Sequence, residues 1–318
     1  MDNLKISVQT ARSYREIGIA AAYALYKKVG FEAVDWNIDN VLVAAQIRAG
    51  NFRNSLYTRP LEEVLEYYAE ELEHLKKNGL TITQAHAPFP AYEPELEGLL
   101  DEMIPVYKRC IELCDAVGCK HLVIHGISHK RNDTVNTPES IYQLNVKLYT
   151  SLIPLLQKTN VTVCMENLFT ATPHPKGNQI CAGHCADPKA AAEFIDWLNE
   201  QAGKECFGLC LDVGHLNVLR IDERVYIATL GKRIKVLHLH DNDGIKDQHI
   251  APYNGNIHWK NIITSLAKAG YNGDLSFETF LQTTLQNIDE GVLESQLRAI
   301  ADTGKFFRDE IRRIQAEQ

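Results

Sequence analysis

Residues 207–215 read Phe-Gly-Leu-Cys-Leu-Asp-Val-Gly-His, an apolar run that ends in a carboxylate and an imidazole. Short continuous apolar runs are typical of strands buried on both faces of a parallel sheet. This run predicts a strand at 207–213, and seven similar runs lie at about 4–10, 33–37, 81–87, 121–126, 161–167, 234–240 and 273–279. They alternate with helical patterns, so the sequence predicts an α/β fold, a single (β/α)₈ or TIM barrel.

Helix boundaries support this alternation. Residues 12–29 and 61–78 show helical spacing, and the second stretch follows Pro60 and precedes Gly79. Thr137-Pro138 and Asp187-Pro188 are typical of an N-cap followed by the first helical residue. The main alternative is an open doubly wound sheet, which normally carries a Gly-rich phosphate loop after its first strand, and none follows residues 8–10.

The size and composition of the chain are compatible with one large soluble domain. The chain has 318 residues, 45% of them hydrophobic, and a barrel of this class needs about 250. We therefore predict a single domain over 1–318, with a helical C-terminal extension at about 285–318. The apolar residues of the stretch from Asn287 onwards predict packing on the barrel or on a second subunit of a homo-oligomer, and the sequence does not choose between the two: Val292, Leu293, Leu297, Ile300, Phe306, Phe307 and Ile311.

Charge and segment composition exclude several classes of partner. The net charge of −8 argues against a broad nucleic-acid or anionic-membrane surface, because both need clustered Lys and Arg. No run of about 18 apolar residues predicts a membrane span, and residues 1–10 lack the pattern of a secretory signal. Cys164 and Cys210 lie within strand runs and are expected to be reduced core residues, so a cytoplasmic location is expected.

Polar side chains end six successive strands, the third to the eighth. Because the C-terminal ends of the strands form the active-site face of this barrel class, these side chains are expected to meet there. The residues are His86, His125, Glu166, Asp212 with His215, His238 with His240, and Glu278. A single histidine of this kind is more often a hydrogen-bonded core residue, and a single glutamate often pairs with a cation. The agreement of six strand ends instead favours a metal site, because burying so many uncompensated groups is costly.

The predicted ligand set is rich in oxygen. Three carboxylates and one imidazole, from Glu166, Asp212, His238 and Glu278, suit Mn²⁺, Mg²⁺, Co²⁺ or Zn²⁺. A second polar cluster follows the seventh strand, where Asp247 and His249 alternate and face one side if the segment is extended. A polar surface loop is the simpler interpretation of that segment, but its place at the barrel mouth favours function.

These motifs, taken together, resemble a known family. Residues 210–215, the His238-Leu-His-Asp241 strand end and Asp247-Gln-His249 with the following Pro252, Gly255 and Trp259 are similar to the sugar isomerase/epimerase superfamily with a xylose isomerase-like barrel. The resemblance covers nearly the whole chain. It implies that Glu166, Asp212, His238 and Glu278 hold one divalent metal and that His215 binds substrate. His238 is preferred to His240 because His238-x-x-Asp241 matches the family spacing.

The same superfamily contains endonuclease IV, which uses three zinc ions. The resemblance offers a matching residue for each of its nine ligands, so His86, His125, His215, Asp247 and His249 are additional metal candidates. Against a nuclease stand the acidic net charge and the last motif, which reads Lys-Asp-Gln-His at 246–249 in place of Arg-Asp-Arg-His.

The resemblance therefore implies a metal-dependent isomerase or epimerase acting on a sugar or a sugar derivative. Glu166 and Glu278 are the expected catalytic pair, one removing a proton to give an enediolate and the other returning it. The four histidines His86, His125, His215 and His249 are expected to bind substrate. The alternatives are a zinc phosphodiesterase acting on abasic DNA and a barrel that binds sugars without turnover.

Two segments match no template. Residues 40–58 are long and mixed, which is compatible with a lid. Residues 171–186 contain His174, Cys181, His184 and Cys185. A substrate-covering loop with incidental cysteines is favoured there over a small zinc site, because the paired Cys-x₂-Cys spacing is absent.

Overall fold

A computed structural model describes residues 4–11, 17–172, 179–283 and 288–318 of the chain. Strands and helices alternate along it, as the sequence predicts. The strands are β1 (Ile6–Gln9), β2 (Ala33–Trp36), β3 (Thr81–His86), β4 (His121–Val123), β5 (Thr162–Glu166), β6 (Phe169–Thr172), β7 (Gln179–Ala182), β8 (Phe207–Asp212), β9 (Ile234–His238) and β10 (Leu275–Phe277).

Eight of these strands form one sheet in the order β10-β1-β2-β3-β4-β5-β8-β9. Neighbouring strands run parallel, for example β1 beside β2 and β4 beside β5. A parallel bridge between Leu239 and Phe277 brings the ends of β9 and β10 together. The predicted (β/α)₈ fold class is thereby confirmed, and each predicted apolar run contains one strand of the sheet.

The helices lie between the strands. They are α1 (Ile19–Val29), α2 (Ala44–Arg48), α3 (Leu61–Lys77), α4 (Leu99–Val117), α5 (Pro138–Thr150), α6 (Ile153–Leu156), α7 (Pro188–Ala202), α8 (Val213–Leu219), α9 (Glu223–Leu230), α10 (Trp259–Lys268), α11 (Phe280–Thr283) and α12 (Glu290–Ala316). Short 3₁₀ helices occupy Ile38–Val41, Asn51–Asn54, Leu56–Thr58 and Gly231–Arg233. None of the helices in the described part of the chain combines the length and the apolar character needed to span a membrane.

Several predicted boundaries can be compared directly. The side chains of Thr137 and Asp187 cap α5 and α7 by accepting the backbone N–H three residues on, as predicted. The first predicted helix, 12–29, is too long, because α1 begins only at Ile19. Residues 12–16 of that prediction lie outside the described residues.

The chain comprises two compact units. Unit 1 contains Met1–Asn37, Tyr68–Gln84 and Leu211–Gln318, and unit 2 contains Ile38–Tyr67 and Ala85–Cys210. The single domain predicted over 1–318 stays a prediction.

The core of unit 1 includes the long C-terminal helix α12. Gly304 allows it to approach the sheet closely, since a Cβ there would lie 2.6 Å from Ile6 and 2.8 Å from Phe277. Phe307 stacks on Trp259 of α10 with ring centroids 5.1 Å apart. The helix thus packs on its own unit, whereas Val292 and Phe306 are 48% and 57% exposed in the single chain, and for them packing on a second subunit stays a prediction. Asn287, where the predicted helix began, lies outside the described residues.

Unit 2 contains the two segments that matched no template. Residues 40–58 form α2 and short 3₁₀ helices. The hydroxyl of Tyr57 connects the end of this segment to the residues just before it by donating a hydrogen bond to the carbonyl of Ile38 at 2.6 Å. In the other segment, β6 and β7 pair antiparallel, with Thr170 opposite Cys181. Cys164 and Cys210 of the strands are buried and form no disulfide within the described residues, as predicted.

Candidate metal centre

Asp212, at the end of β8, is the hub of the polar groups in unit 1. Its side chain is fully buried. One carboxylate oxygen, Oδ1, accepts the backbone N–H of His215 at 2.7 Å and thereby caps α8. The capping geometry fixes the carboxylate at the point where the strand turns into the helix, so the local sequence Asp-Val-Gly-His places two candidate ligands with one turn.

His238, at the end of β9, lies between carboxylates. Its Nδ1 is 3.4 Å from Oε2 of Glu278 and 3.9 Å from Oδ2 of Asp212. Its Nε2, on the other side of the ring, is 3.3 Å from Oδ2 of Asp35. The structure therefore brings together three of the four predicted ligands of the principal site, Asp212, His238 and Glu278.

His240 also contacts Asp212, but in a different way. Its Nε2 lies 2.9 and 3.0 Å from the two carboxylate oxygens of Asp212. The imidazole reaches this position because residue 214 is a glycine, where a Cβ would lie 1.9 Å from the ring. His240 is thus placed to orient the carboxylate of Asp212, whereas Nδ1 of His238 faces two carboxylates at once.

A third group in unit 1 comes from the loop after β9. Oδ2 of Asp247 is 2.9 Å from Nε2 of His249 and 3.3 Å from Nε2 of His215. The N–H at Nδ1 of His249 donates to the carbonyl of Glu278 at 3.1 Å. The predicted additional candidates His215, Asp247 and His249 therefore lie together, within reach of one ion.

The electrostatics of this group favour a cation. Burial alone would raise the pKa of Asp247, but hydrogen bonds from His215 and His249 outweigh it and hold the pKa below its usual value. Burial would lower the pKa of His249, yet the charge of Glu278 and the contact with Asp247 raise it to about 9. Oδ1 of Asp247 is buried and has no hydrogen-bond partner among the residues that the structure describes. A site that attracts a proton so strongly also fits a divalent cation, because both compensate the same cluster of carboxylates.

Asp241 organises the loop that carries Asp247 and His249. Its buried carboxylate accepts the indole N–H of Trp259 at 2.8 Å and the backbone N–H of Tyr253 at 2.9 Å through Oδ2. Oδ1 accepts the backbone N–H groups of Asn242 at 2.9 Å and Ile257 at 3.1 Å. The aspartate of the His-x-x-Asp motif therefore holds both ends of the loop.

Unit 2 carries the remaining three predicted residues, His86, His125 and Glu166. Nε2 of His125 is 3.0 Å from Oε2 of Glu166 and 3.0 Å from Nε2 of His86. The N–H at Nδ1 of His86 donates to the carbonyl of Ala87 at 3.0 Å, so in neutral His86 the lone pair is at Nε2. Two imidazole nitrogens and a carboxylate oxygen thus converge within 4.8 Å of one another, which fits a metal ion.

Asp35 is the buried carboxylate that the sequence reasoning missed. It lies in β2 and is 1% exposed. The side-chain amide of Gln84 donates to its Oδ2 at 2.8 Å, and the hydroxyl of Ser276 donates to the same oxygen at 3.3 Å. The one available signal was an acidic residue inside an apolar strand run, Ala-Val-Asp-Trp at 33–36.

His184, in the Cys/His segment at 171–186, packs against an aromatic ring. His184 stacks on Tyr149, with ring centroids 5.8 Å apart, and burial lowers its pKa to about 4. Cys185 is buried, and burial raises the pKa of its thiol. His174 lies outside the described residues, so the choice between a zinc site and a substrate-covering loop stays a prediction.

Comparison with known proteins agrees with the fold. The family described as xylose isomerase-like TIM barrel matches residues 23–303. The uncharacterized protein y4fM of Sinorhizobium fredii is 23% identical over 285 residues, 85% of this chain and 84% of that protein. A putative xylose isomerase from Rhodospirillum rubrum has a similar structure, with a TM-score of 0.72, 16% identity and coverage of 95% of this chain and 99% of its own. D-allulose 3-epimerase from Methylomonas sp. in complex with D-allulose gives a TM-score of 0.65 at 11% identity, covering 97% of each chain.

Proposed function

Because the chain belongs to the xylose isomerase-like TIM barrel family, we propose that it is a divalent-metal-dependent isomerase or epimerase of a sugar or sugar derivative. One observation carries the proposal. Nδ1 of His238 lies within 4 Å of carboxylate oxygens of both Asp212 and Glu278, all of them buried at strand ends. Proteins of similar fold include an epimerase whose structure contains a ketose, D-allulose.

The proposed metal ligands are Glu166, Asp212, His238 and Glu278. Contacts within unit 1 support the last three, and the sequence resemblance adds Glu166, at the end of β5. The donor set is three carboxylates and one imidazole, which suits Mn²⁺, Mg²⁺, Co²⁺ or Zn²⁺. When bound, such an ion polarises a substrate carbonyl and stabilises negative charge on its oxygen.

The chain's own residues supply proton transfer and orientation. Glu166 and Glu278 are the proposed catalytic pair: one, as a carboxylate, takes the proton from the carbon next to the carbonyl, and the other, as a carboxylic acid, donates its own proton to the resulting enediolate. His86, His125, His215 and His249 are proposed to hold substrate hydroxyls. Glu278 is only 7% exposed, so little water surrounds its carboxyl group, which strengthens its electrostatic interaction with a bound substrate.

Carbon-bound proton exchange tests this mechanism. The metal-loaded protein is incubated in deuterated water with D-allulose, other neutral ketoses, ketose phosphates and keto sugar acids, and deuterium incorporation is followed by NMR together with sugar composition. Turnover with incorporation that is lost on chelation and in Glu278→Gln is the expected result. Glu102→Gln, at a surface ion pair with Arg53, is the matched control and keeps activity. Sugar binding without turnover of any of the sugars contradicts the proposal.

A second candidate function is zinc-dependent phosphodiester hydrolysis. The specific observation in its favour is that each unit holds a separate three-residue group, His86–His125–Glu166 and His215–Asp247–His249. Those groups fit more than the one ion that the epimerase proposal needs. About three tightly held zinc ions and nicking of an abasic DNA duplex would support the nuclease, whereas one exchangeable ion and no nicking support the sugar enzyme.

A further inference from the structure

A small cavity within unit 2 lies beside His125. It encloses about 170 Å³ and is bordered by Phe89, Tyr92 and Ile141 on its apolar side. The ring of Phe89 packs against His125 with centroids 4.5 Å apart. The cavity is therefore next to one of the candidate ligand groups and is large enough for a short chain of carbon atoms with one polar end.

The polar side of the cavity is an ion cluster centred on Glu93. This carboxylate is 7% exposed. Its Oε1 accepts from Nε of Arg48 at 2.7 Å, and Nη2 of Arg48 is also 2.7 Å away. Its Oε2 accepts from Nζ of Lys130 at 3.2 Å. Two cations from different segments of the chain thus converge on a single buried carboxylate.

The cluster has more positive than negative charge, and more hydrogen-bond donors than Glu93 can accept. One carboxylate neutralises one of the two cations, and both cationic groups keep N–H donors that Glu93 does not use, since guanidinium has five and ammonium has three. Arg48 and Lys130 are also 57% and 51% exposed, so their ends reach solvent at the cavity.

Asp133 also borders the cavity, but its carboxylate is used by its own loop. Oδ1 accepts the backbone N–H groups of Val135 and Asn136, each at 2.8 Å, and Oδ2 accepts the side-chain amide of Asn136 at 2.9 Å. No ion pair joins Asp133 to Arg48 or Lys130, all of which lie in the described part of the chain. The donors of the two cations therefore face the cavity, and within the described ranges Glu93 is the one carboxylate that pairs with either cation.

We propose that this cavity binds an acidic group of the substrate, a carboxylate or a phosphate, through Arg48 and Lys130, with Phe89 against the adjoining carbons. The inference rests on the proposed function, and it narrows the substrate class to a sugar carrying an acidic group rather than a neutral sugar. Glu93 holds the two cations in position and limits the positive charge, so that an acid is bound without a large excess of charge.

Direct binding measurements test this without any need for turnover. D-glycerate, inorganic phosphate and glycerol are titrated calorimetrically into the full-length protein at constant ionic strength. We expect at least one of the two anions to bind and glycerol to bind more weakly. The tighter of the two identifies the acidic group as a carboxylate or a phosphate. Arg48→Gln and Lys130→Gln should each weaken anion binding about tenfold, as expected for loss of one charge-assisted hydrogen bond.

Two further variants make the test specific. Arg53→Gln removes a cation from the same segment that pairs with Glu102 at the surface and should leave anion binding unchanged. Glu93→Gln raises the charge of the cluster by one and should tighten anion binding, whereas a subsite for neutral hydroxyl groups would lose an acceptor and bind more weakly. Each variant is first shown to unfold cooperatively, and Arg48→Lys, which keeps the charge, should retain part of the binding.

The inference is wrong if glycerol binds as tightly as the anions, if Arg53→Gln weakens anion binding as much as Arg48→Gln does, or if Glu93→Gln weakens it. Its failure is distinct from failure of the proposed function. Turnover of a neutral ketose without anion binding would overturn only the acidic subsite, and anion binding without turnover of any sugar would overturn only the isomerase.

Discussion

Oδ2 of Asp35 lies 3.3 Å from Nε2 of His238, on the side of the imidazole away from Glu278. A carboxylate at the remote nitrogen of a metal-binding histidine fixes the tautomer and makes the other nitrogen a stronger ligand. Asp35 is itself held by Gln84 and Ser276. These side-chain contacts between β2 and β9 thus orient Nδ1 of His238 towards Asp212 and Glu278, which we propose as ligands of the same metal ion.

Asp35→Asn should weaken metal binding about 10- to 100-fold, the usual cost of losing such a partner of a ligand. The amide keeps the shape of the side chain but removes the charge that stabilises the tautomer. Metal affinity is measured by competition with a fluorescent chelator. Asp302→Asn, at an exposed position on α12 that pairs with Lys305, should leave it unchanged. Equal metal affinity of wild type and Asp35→Asn would show that Asp35 has no positioning role.

His238 and His240 should differ in the size of their effect on metal affinity. His240→Asn removes a group that orients Asp212 and should cost about 10- to 100-fold. His238→Asn removes the proposed ligand itself and should cost more. The same competition assay compares the two, and a larger loss in His240→Asn would exchange their assigned roles.

The candidate site was largely predictable because parallel strands expose their C-terminal ends together. Asp212, His238 and Glu278 follow from that rule, which needs no knowledge of distances. Sequence cannot separate His238 from His240, because residues two apart on a strand point to the same side. Only the packing of His240 over Gly214 and its contact with Asp212 distinguish them.

Other features depended on contacts that no local pattern reports. Asp35 is a single acidic residue within an apolar run. Its proposed role follows from its contact with His238, which is about 200 residues away in the sequence. The antiparallel pairing of β6 and β7 lies in a segment for which the sequence predicted no strand. Val292 and Phe306 fit an apolar helical stripe in sequence, yet α12 turns them to solvent, because the face carrying Gly304 and Phe307 is the one that meets the sheet.

Asp241→Ala should destabilise unit 1 and release the loop that carries Asp247 and His249. The substitution leaves four N–H donors without their acceptor, and a buried unsatisfied donor costs about 1–3 kcal/mol. We therefore expect a loss of about 3 kcal/mol or more in the free energy of unfolding, measured with urea. Hydrogen exchange of residues 242–258 should also become faster.

Asp243→Ala is the control for that loop. Its carboxylate accepts the backbone N–H groups of Ile245 and Lys246 at an exposed position, so the loss should be within about 1 kcal/mol. If both variants lower the free energy of unfolding equally, Asp241 is not the organising residue.

Glu71→Gln should change the pH dependence of stability. Burial raises the pKa of Glu71 above its ordinary value of 4.5, and hydrogen bonds from Tyr23 and Trp36 oppose that shift only in part. The folded protein therefore retains a proton on this carboxyl group that the unfolded chain releases. Wild-type stability should fall as the pH rises from about 4.5 through the folded-state pKa, a loss that the glutamine variant does not share.

Urea unfolding at pH 5 and pH 8 measures this effect as a difference between two proteins at each pH. The free energy of unfolding of Glu71→Gln minus that of wild type should be more positive at pH 8 than at pH 5, because only wild type loses stability over this range. A pH-independent cost of the amide cancels in this comparison. Glu66→Gln, at an exposed position of the same helix α3, should show the same difference at both pH values. A pH-independent difference for Glu71→Gln would mean that burial does not outweigh the two hydrogen bonds, and that this carboxylate is ionised in the core of unit 1.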